Sequence, residues 1–189
     1  MKKGDYIPNV DFKVRELGEW QTINSDTYFK GQRVILFALP GAFTPTCSNQ
    51  QLPGYEKLHN VFKEHGIDNI YCMSVNDSFV MNAWAQNQKL ENVKVIPDGN
   101  GEFADKAHML VEKFGAGYGM RSWRYAAIIN DGVVEEMFVE PGKGDNVVDD
   151  PYTISSPEEV LKHLQKNKEE ETADKNKEIV KSFPTAWQY

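Results

Sequence analysis

The stretch Arg33-Val-Ile-Leu-Phe-Ala-Leu-Pro-Gly-Ala-Phe-Thr-Pro-Thr-Cys47 decides how this chain folds. After Arg33 its first residues are all apolar, so a strand built from them has two apolar faces. Such a strand belongs inside a sheet that is covered on both sides. Pro40-Gly41 closes the run. The segment from Pro40 to Ser48 then reads as a loop turning into a helix, with Thr44 as N-cap and Pro45 at the first helical position. Leu52, Tyr55, Leu58, Val61 and Phe62 recur at helical spacing as far as His65-Gly66, where glycine can end the helix. Pro53 inside this stretch predicts a kink.

Outward from that core, Ile67 to Val75 is a second apolar, strand-like run. Phe79 to Gln88 reads as a helix with Phe79, Val80, Ala83 and Trp84 inward. Val93 to Pro97 reads as a third strand, and Ala104 to Phe114 as a helix with Ala107, Leu110, Val111 and Phe114 on one face. Arg124–Asn130 and Val133–Val139 flank Asp131-Gly132, a turn dipeptide between two β-rich runs, and predict a hairpin. After a loop from Pro141 to Pro151, Ser156 as cap and Pro157 at the first position open a last helix through Val160, Leu161 and Leu164. Strands alternate with helices early and a hairpin comes late. That order predicts an α/β sandwich with a mixed central sheet flanked by helices.

The chain has 189 residues, and at about 150 residues per domain one domain is expected. We read residues 1–165 as that domain. Residues 166–189 are a charged extension, a solvated helix or a disordered tail, with an aromatic end from Ser182 to Tyr189 that could anchor on the body or on a partner. The net charge of −7 disfavours nucleic acid and anionic membrane surfaces as partners. No apolar run approaches the roughly 18 residues of a membrane span. Lys2 and Lys3 are not followed by an apolar segment, so a cytoplasmic protein is expected. Two cysteines, Cys47 and Cys72, are too few for a disulfide scaffold or a four-cysteine zinc site.

Cys47 lies in the first turn of a predicted helix, where free N–H groups and the helix dipole converge. Both features favour a thiolate, the nucleophilic form. A buried structural cysteine is the competing reading. Thr44 could donate its hydroxyl to an incoming oxygen instead of capping the helix. An arginine would hold the thiolate and polarise a substrate. Spacing leaves Arg121 and Arg124 both open for that role. His59 and His65 read as surface residues, which leaves a Cys–His hydrolase a poor competitor.

Pro40-Gly-Ala-Phe-Thr-Pro-Thr-Cys47 resembles the active-site signature of peroxiredoxins, Pro-x-x-x-Thr-x-x-Cys. Its longer form, with Cys47-Ser48 following, resembles the type-five branch that includes plant type II enzymes. Ser74-Val-Asn-Asp-Ser-Phe79 and Arg121-Ser-Trp-Arg-Tyr-Ala126 are similar to two further segments of that branch. Phe79-Val-Met-Asn-Ala-Trp84 and Asp150-Pro-Tyr-Thr-Ile-Ser155 are most similar to the peroxiredoxin half of bacterial peroxiredoxin–glutaredoxin fusions. The resemblance runs from about Gly4 to Leu164. It implies a thioredoxin-like fold and reduction of hydrogen peroxide or alkyl hydroperoxides, with no metal and no organic cofactor. By motif position it makes Cys47 the peroxidatic cysteine, Thr44 the peroxide-orienting hydroxyl and Arg124 the active-site arginine. Pro40, Gly41 and Phe43 then line the substrate pocket.

Two positions depart from the branch. Gln51 stands where many members have His, and no cysteine lies between Glu140 and Ser156, where intramolecular-disulfide members carry the resolving one. Cys72, inside an apolar strand run, reads as an inert core thiol. The resemblance therefore implies a one-cysteine cycle resolved by glutathione, with glutaredoxin acting in trans. The alternatives are a thioredoxin-dependent cycle through Cys72 and a peroxide sensor that relays oxidation to a bound protein. A homodimer is expected, with Phe79 and Trp84 as core or dimer-contact aromatics.

Overall fold

The structure of the protein, a computed structural model, describes residues 1–182. Two short strands, β1 (Asp11–Glu16) and β2 (Glu19–Asn24), form a hairpin that leads into helix α1 (Ser25–Phe29). Phe12 and Val14 of β1 turn inward while Lys13 faces solvent, the period-two alternation of a half-buried strand.

The chain then enters β3 (Arg33–Ala38), the middle strand of a five-stranded sheet. On one side β3 pairs in parallel with β4 (Asn69–Ser74), and β4 pairs in parallel with β5 (Lys94–Pro97). On the other side it pairs antiparallel with β8 (Tyr125–Asn130), which pairs with β9 (Val133–Val139). The hairpin turn is at Asp131-Gly132, where φ is 48° and 77°. Two successive positive values fit the turn whose twist matches that of the flanking strands.

The two apolar faces of β3 are both used. Val34, Leu36 and Ala38 point into a core with Phe12, Phe29, Phe103 and Ile129. Ile35, Phe37 and Leu39 point into a second core with Cys47, Tyr55, Cys72 and Trp84. That second face is covered by α2 (Leu52–Glu64), α3 (Ser78–Asn87) and α5 (Pro157–Ser182). Phe37 stacks on Tyr55 with ring centroids 4.1 Å apart. Full burial of side chains of this size contributes roughly 1.5–3 kcal/mol each. The fold is the expected α/β sandwich with a mixed sheet.

Pro53, where a kink was expected, stands in the first turn of α2. Residues Cys47–Gln51 make one π-helical turn, in which Leu52 N–H donates to the Cys47 carbonyl, before α2 continues. A proline cannot donate into a regular ladder, and the wider turn precedes it. At α5, Ser156 Oγ accepts from Glu159 N–H at 3.3 Å, as its capping role requires. The helix runs on to Ser182, past residue 165, and residues 166–175 are charged and mostly exposed. The aromatic end from residue 183 lies outside the described residues.

Two expectations are corrected. The helix predicted from Ala104 to Phe114 ends early: α4 spans Glu102–Lys106, and His108 adopts φ 57°, outside helical space. Leu110–Glu112 is instead a strand, β6, paired with β7 (Met120–Ser122), and Phe114 is exposed. A short apolar run has no period long enough to separate strand from helix, so pairing decides. The second correction is the inward face of α3, which is Ser78, Met81 and Trp84. Phe79 is 59% exposed and Ala83 is exposed. Asp77 caps the helix by accepting from Val80 N–H, which sets its phase. Phe79 packs outside, edge-on to Trp20 at 5.5 Å, with Arg15 beside both rings.

Candidate active site

Pro45 and Thr46 form the start of the helix, and Cys47 opens its π-helical turn. The Cys47 side chain is 0% exposed and joins the apolar core beneath. The Arg124 guanidinium reaches it from the residue just before β8, 77 positions along the chain, with Nη1 3.5 Å from Sγ. Register explains the meeting. Ala38 sits opposite Tyr125, so Arg124 comes level with the end of β3, where the chain turns toward Cys47.

Arg124 is 1% exposed and its guanidinium is held from several directions. Nη1 also donates to Gln51 Oε1 at 2.5 Å, and Nη2 donates to both carboxylate oxygens of Asp150 at 2.6 and 2.7 Å. The ring of Tyr152 lies 5.8 Å from the guanidinium carbon. Burial alone pulls the guanidinium down, but the Cys47 sulfur and the Asp150 carboxylate more than compensate and hold it above its ordinary value. Its Nε–H is buried without a partner among the described residues.

Gln51 is fully buried one helical turn after Cys47, on the same side of the helix. Its Nε2 donates weakly to Ser155, 3.4 Å from Oγ, and its Oε1 accepts from Arg124. Ser155 is fixed in turn. Glu140 accepts from the backbone N–H and hydroxyl of both Thr153 and Ser155 at 2.7–2.8 Å. Burial pushes the Glu140 carboxyl up, and those four hydrogen bonds outweigh it and hold the group below the usual glutamate value. Tyr55 Oη donates to the Ser155 carbonyl at 2.8 Å, which binds the same loop to α2.

Thr44 does not cap the helix with its side chain. Its Oγ1 donates to the Gly41 carbonyl at 2.8 Å, while its own carbonyl accepts from Ser48 N–H. The hydroxyl proton is thus engaged, and the oxygen is left as an acceptor. Arg121 braces the loop beneath: Nε donates to Tyr118 O at 2.8 Å, and Nη1 lies 3.4 Å from the carbonyls of Pro40 and Val75. A Cβ on Gly41 would fall 2.9 Å from Arg121 Nη1 and 3.2 Å from Thr44 Cγ2, so a larger residue there would push the Arg121 guanidinium aside. The structure thus separates the two arginines, with Arg124 at the sulfur and Arg121 under the loop.

A cavity of about 420 Å³ adjoins the loop, lined by Pro40, Thr44, Tyr118, Val147 and Asp150 among others. Gly41 is not on its wall and acts behind it. Phe43 does not line this cavity; its φ is 63°, it is 53% exposed, and its ring lies 6.5 Å from that of Trp84. Cys72 lies on β4 between its register partners Phe37 and Val95, fully buried. Burial, joined by the nearby Cys47 sulfur, pushes its thiol well above the ordinary value, against a smaller pull from Arg124.

Sequence reasoning named Cys47, Thr44 and, by resemblance, Arg124 as candidates and noted Gln51 without a role for it; the structure brings Cys47, Arg124 and Gln51 together. Asp150, Tyr152, Ser155 and Glu140 were missed as site residues. Asp150, Tyr152 and Ser155 carried a signal in the resemblance of Asp150–Ser155 to glutaredoxin-fused peroxiredoxins, but it assigned them no role, and Glu140 was marked only as the edge of the loop without a cysteine.

Comparison with known proteins gives the same direction as the geometry. Residues 2–161 match the Redoxin family. The chain is 56% identical over 168 residues to a peroxiredoxin of Rhizobium etli, covering 84% of this chain and 94% of that one. It is 48% identical over 162 residues to hybrid peroxiredoxin hyPrx5 of Haemophilus influenzae, covering 86% of this chain and 66% of the other. Among solved structures, the antioxidant protein of Plasmodium falciparum, described as a 1-Cys peroxiredoxin, superposes with a TM-score of 0.84 at 38% identity. That match covers 88% of this chain and 99% of the other.

Proposed function

This chain belongs to the Redoxin family and is a peroxiredoxin with peroxidase activity; from that premise we propose that Cys47 reduces hydrogen peroxide and alkyl hydroperoxides in a one-cysteine cycle closed by glutathione and glutaredoxin. The observation that carries this reading is the buried contact of Arg124 Nη1 with Cys47 Sγ at 3.5 Å. A guanidinium is charged at every relevant pH and, aimed at the sulfur, can hold and polarise a peroxide bound against it.

The thiolate attacks the terminal oxygen of the peroxide. A sulfur–oxygen bond forms, the oxygen–oxygen bond breaks, and the leaving oxygen takes a proton from solvent to depart as water or an alcohol. Sulfur loses two electrons and the peroxide gains them, leaving a sulfenic acid. Thr44 Oγ1, whose proton is committed to Gly41, accepts from the peroxide O–H and aligns it. Arg124 and the N–H groups at the helix start meet the charge that moves between the two oxygens. Pro40 lies on the wall of the adjoining cavity and limits water there.

Closure of the cycle is read from the other cysteine. Between Glu140 and Ser156 there is none, and Cys72 is held on β4 between β3 and β5. An outside thiol therefore attacks the sulfenic sulfur, water leaves, and a mixed disulfide forms. The description of the Plasmodium falciparum neighbour as a 1-Cys peroxiredoxin supports this, as does the similarity of Phe79–Trp84 and Asp150–Ser155 to glutaredoxin-fused peroxiredoxins. Intact-mass spectrometry after one equivalent of hydrogen peroxide, followed by glutathione, tests it. A glutathione adduct on Cys47 that glutaredoxin removes is expected. A Cys47–Cys72 disulfide turned over by thioredoxin would overturn the one-cysteine reading.

The same reading includes a homodimer and a cytoplasmic setting. The half-exposed rings of Phe43, in the active-site loop, and of Phe79, on α3, support the first. Sedimentation velocity should show a dimer at micromolar concentration, and a monomer alone would count against it. Two free thiols suit a reducing compartment, and recovery of the chain from a periplasmic or membrane fraction would count against that.

A further inference from the structure

The segment Asp150–Ser155 touches the site more often than any role assigned above explains. Asp150 accepts from Arg124 Nη2 through both of its carboxylate oxygens, at 2.6 and 2.7 Å. Tyr152, two residues on, packs near the same guanidinium. Thr153 and Ser155 are pinned by the buried Glu140, and Ser155 supports Gln51, the second acceptor on Nη1. The planar fork of Arg124 is therefore set by acceptors on both terminal nitrogens, which leaves one Nη1 hydrogen directed at Cys47 Sγ.

Asp150 differs from the other members of this set. Its side chain is 41% exposed, whereas the arginine it holds is 1% exposed, and it lines the cavity beside Pro40 and Thr44. It is the point at which a solvent-facing loop grips the buried cation. We propose that Asp150 is a positioning residue for the peroxide reaction: it aims the Arg124 fork at Cys47 and so couples the order of the loop at 141–155 to the reactivity of the sulfur.

This deepens the reading of Cys47 as the peroxidatic cysteine and rests on it. Simple charge arithmetic predicts the opposite effect. Asp150 is an anion across the guanidinium from the sulfur, so removing its charge should leave more of the cation's field at the sulfur and speed every reaction of Cys47. Positioning predicts that removal slows only the reaction that needs an aligned arginine. A misdirected catalytic group costs about ten- to a hundredfold in rate.

The test compares two reagents on the full chain carrying Cys72→Ala, with and without Asp150→Asn. Hydrogen peroxide oxidises Cys47 with the help of Arg124, whereas iodoacetamide alkylates the thiolate without needing an aimed donor. Without the Asp150 change, the peroxide reaction should far exceed alkylation; if it does not, the peroxidatic reading itself fails. In Asp150→Asn the peroxide rate should fall about tenfold or more while alkylation is unchanged or faster, and Asp150→Glu should recover part of the loss. Peroxide oxidation that is unchanged or faster in Asp150→Asn overturns the proposal. So does an equal fall in both reactions together with a lowered melting temperature, because that is the mark of a merely structural residue.

Discussion

Cys47→Ser is expected to lose peroxide reduction by about three orders of magnitude or more, while Cys72→Ser keeps most of it. The first effect follows from chemistry. A serine hydroxyl in this place is not ionised at neutral pH, and no base within the described hydrogen bonds of the site would take its proton. Deleting a nucleophile leaves only what the remaining groups contribute through binding. The fold should tolerate the change, because Cys47 is buried beside the polar groups of Arg124 and Gln51 and a hydroxyl finds a partner there. Cys72 is different. It lies within an apolar core at a register position between two strands, and a serine there costs about 1–3 kcal/mol unless it finds a hydrogen bond. Its stability should fall while its specific activity stays within a fewfold of the parent. Steady-state peroxidase assays with matched thermal melts separate the two quantities. Loss of activity in a folded Cys72→Ser protein would mean that the resolving step had been misplaced.

Arg124→Met is expected to reduce the rate of Cys47 oxidation by about a hundred- to a thousandfold, the scale lost when a donor aimed at developing charge is removed. Methionine retains much of the aliphatic bulk and removes every donor. Gln51 Oε1 loses its strong partner inside the protein, and Asp150 loses both of its bonds to Nη2. Because the Asp150 side chain is 41% exposed, its carboxylate can rehydrate. The stability loss should therefore stay at about 1–3 kcal/mol, below that of breaking a fully buried pair. Arg124→Lys should recover little of the rate. A lysine ammonium is a compact charge that cannot serve Sγ, Gln51 and Asp150 in one plane. Stopped-flow measurement of Cys47 oxidation across the three proteins is the check. A rate for Arg124→Met within tenfold of the parent would remove Arg124 from the reaction.

These two expectations have different origins. Cys47 was legible because its chemistry is local: a proline-led turn and a helix start lie within a few residues of it. Arg124 needed more. Two arginines stand three residues apart, and along the chain both are equally eligible. The antiparallel register of β8 against β3 separates them, bringing Arg124 to the sulfur and sending Arg121 beneath the loop against Pro40 and Val75. Phe43 shows the limit in the other direction. It belongs to the motif, yet it stands at a left-handed backbone angle, half-exposed, and does not line the cavity.

The secondary structure divides along the same line. The Asp131-Gly132 hairpin and the Ser156-Pro157 helix start form as expected, because turn and capping chemistry acts within four residues. Leu110–Glu112 became a strand because a partner, Met120–Ser122, lay beside it. The sequence by itself determined the buried central strand, the helix that presents Cys47, and the absence of a second cysteine in the loop from 140 to 156. Only the tertiary structure decided that Gln51, Asp150 and Ser155 gather around Arg124, with Glu140 behind them. The contacts of Gln51 and Asp150 join residues 26 to 104 positions apart. A buried guanidinium must have acceptors, but which residues supply them is set by where the sheet and its connecting loop bring the chain back together.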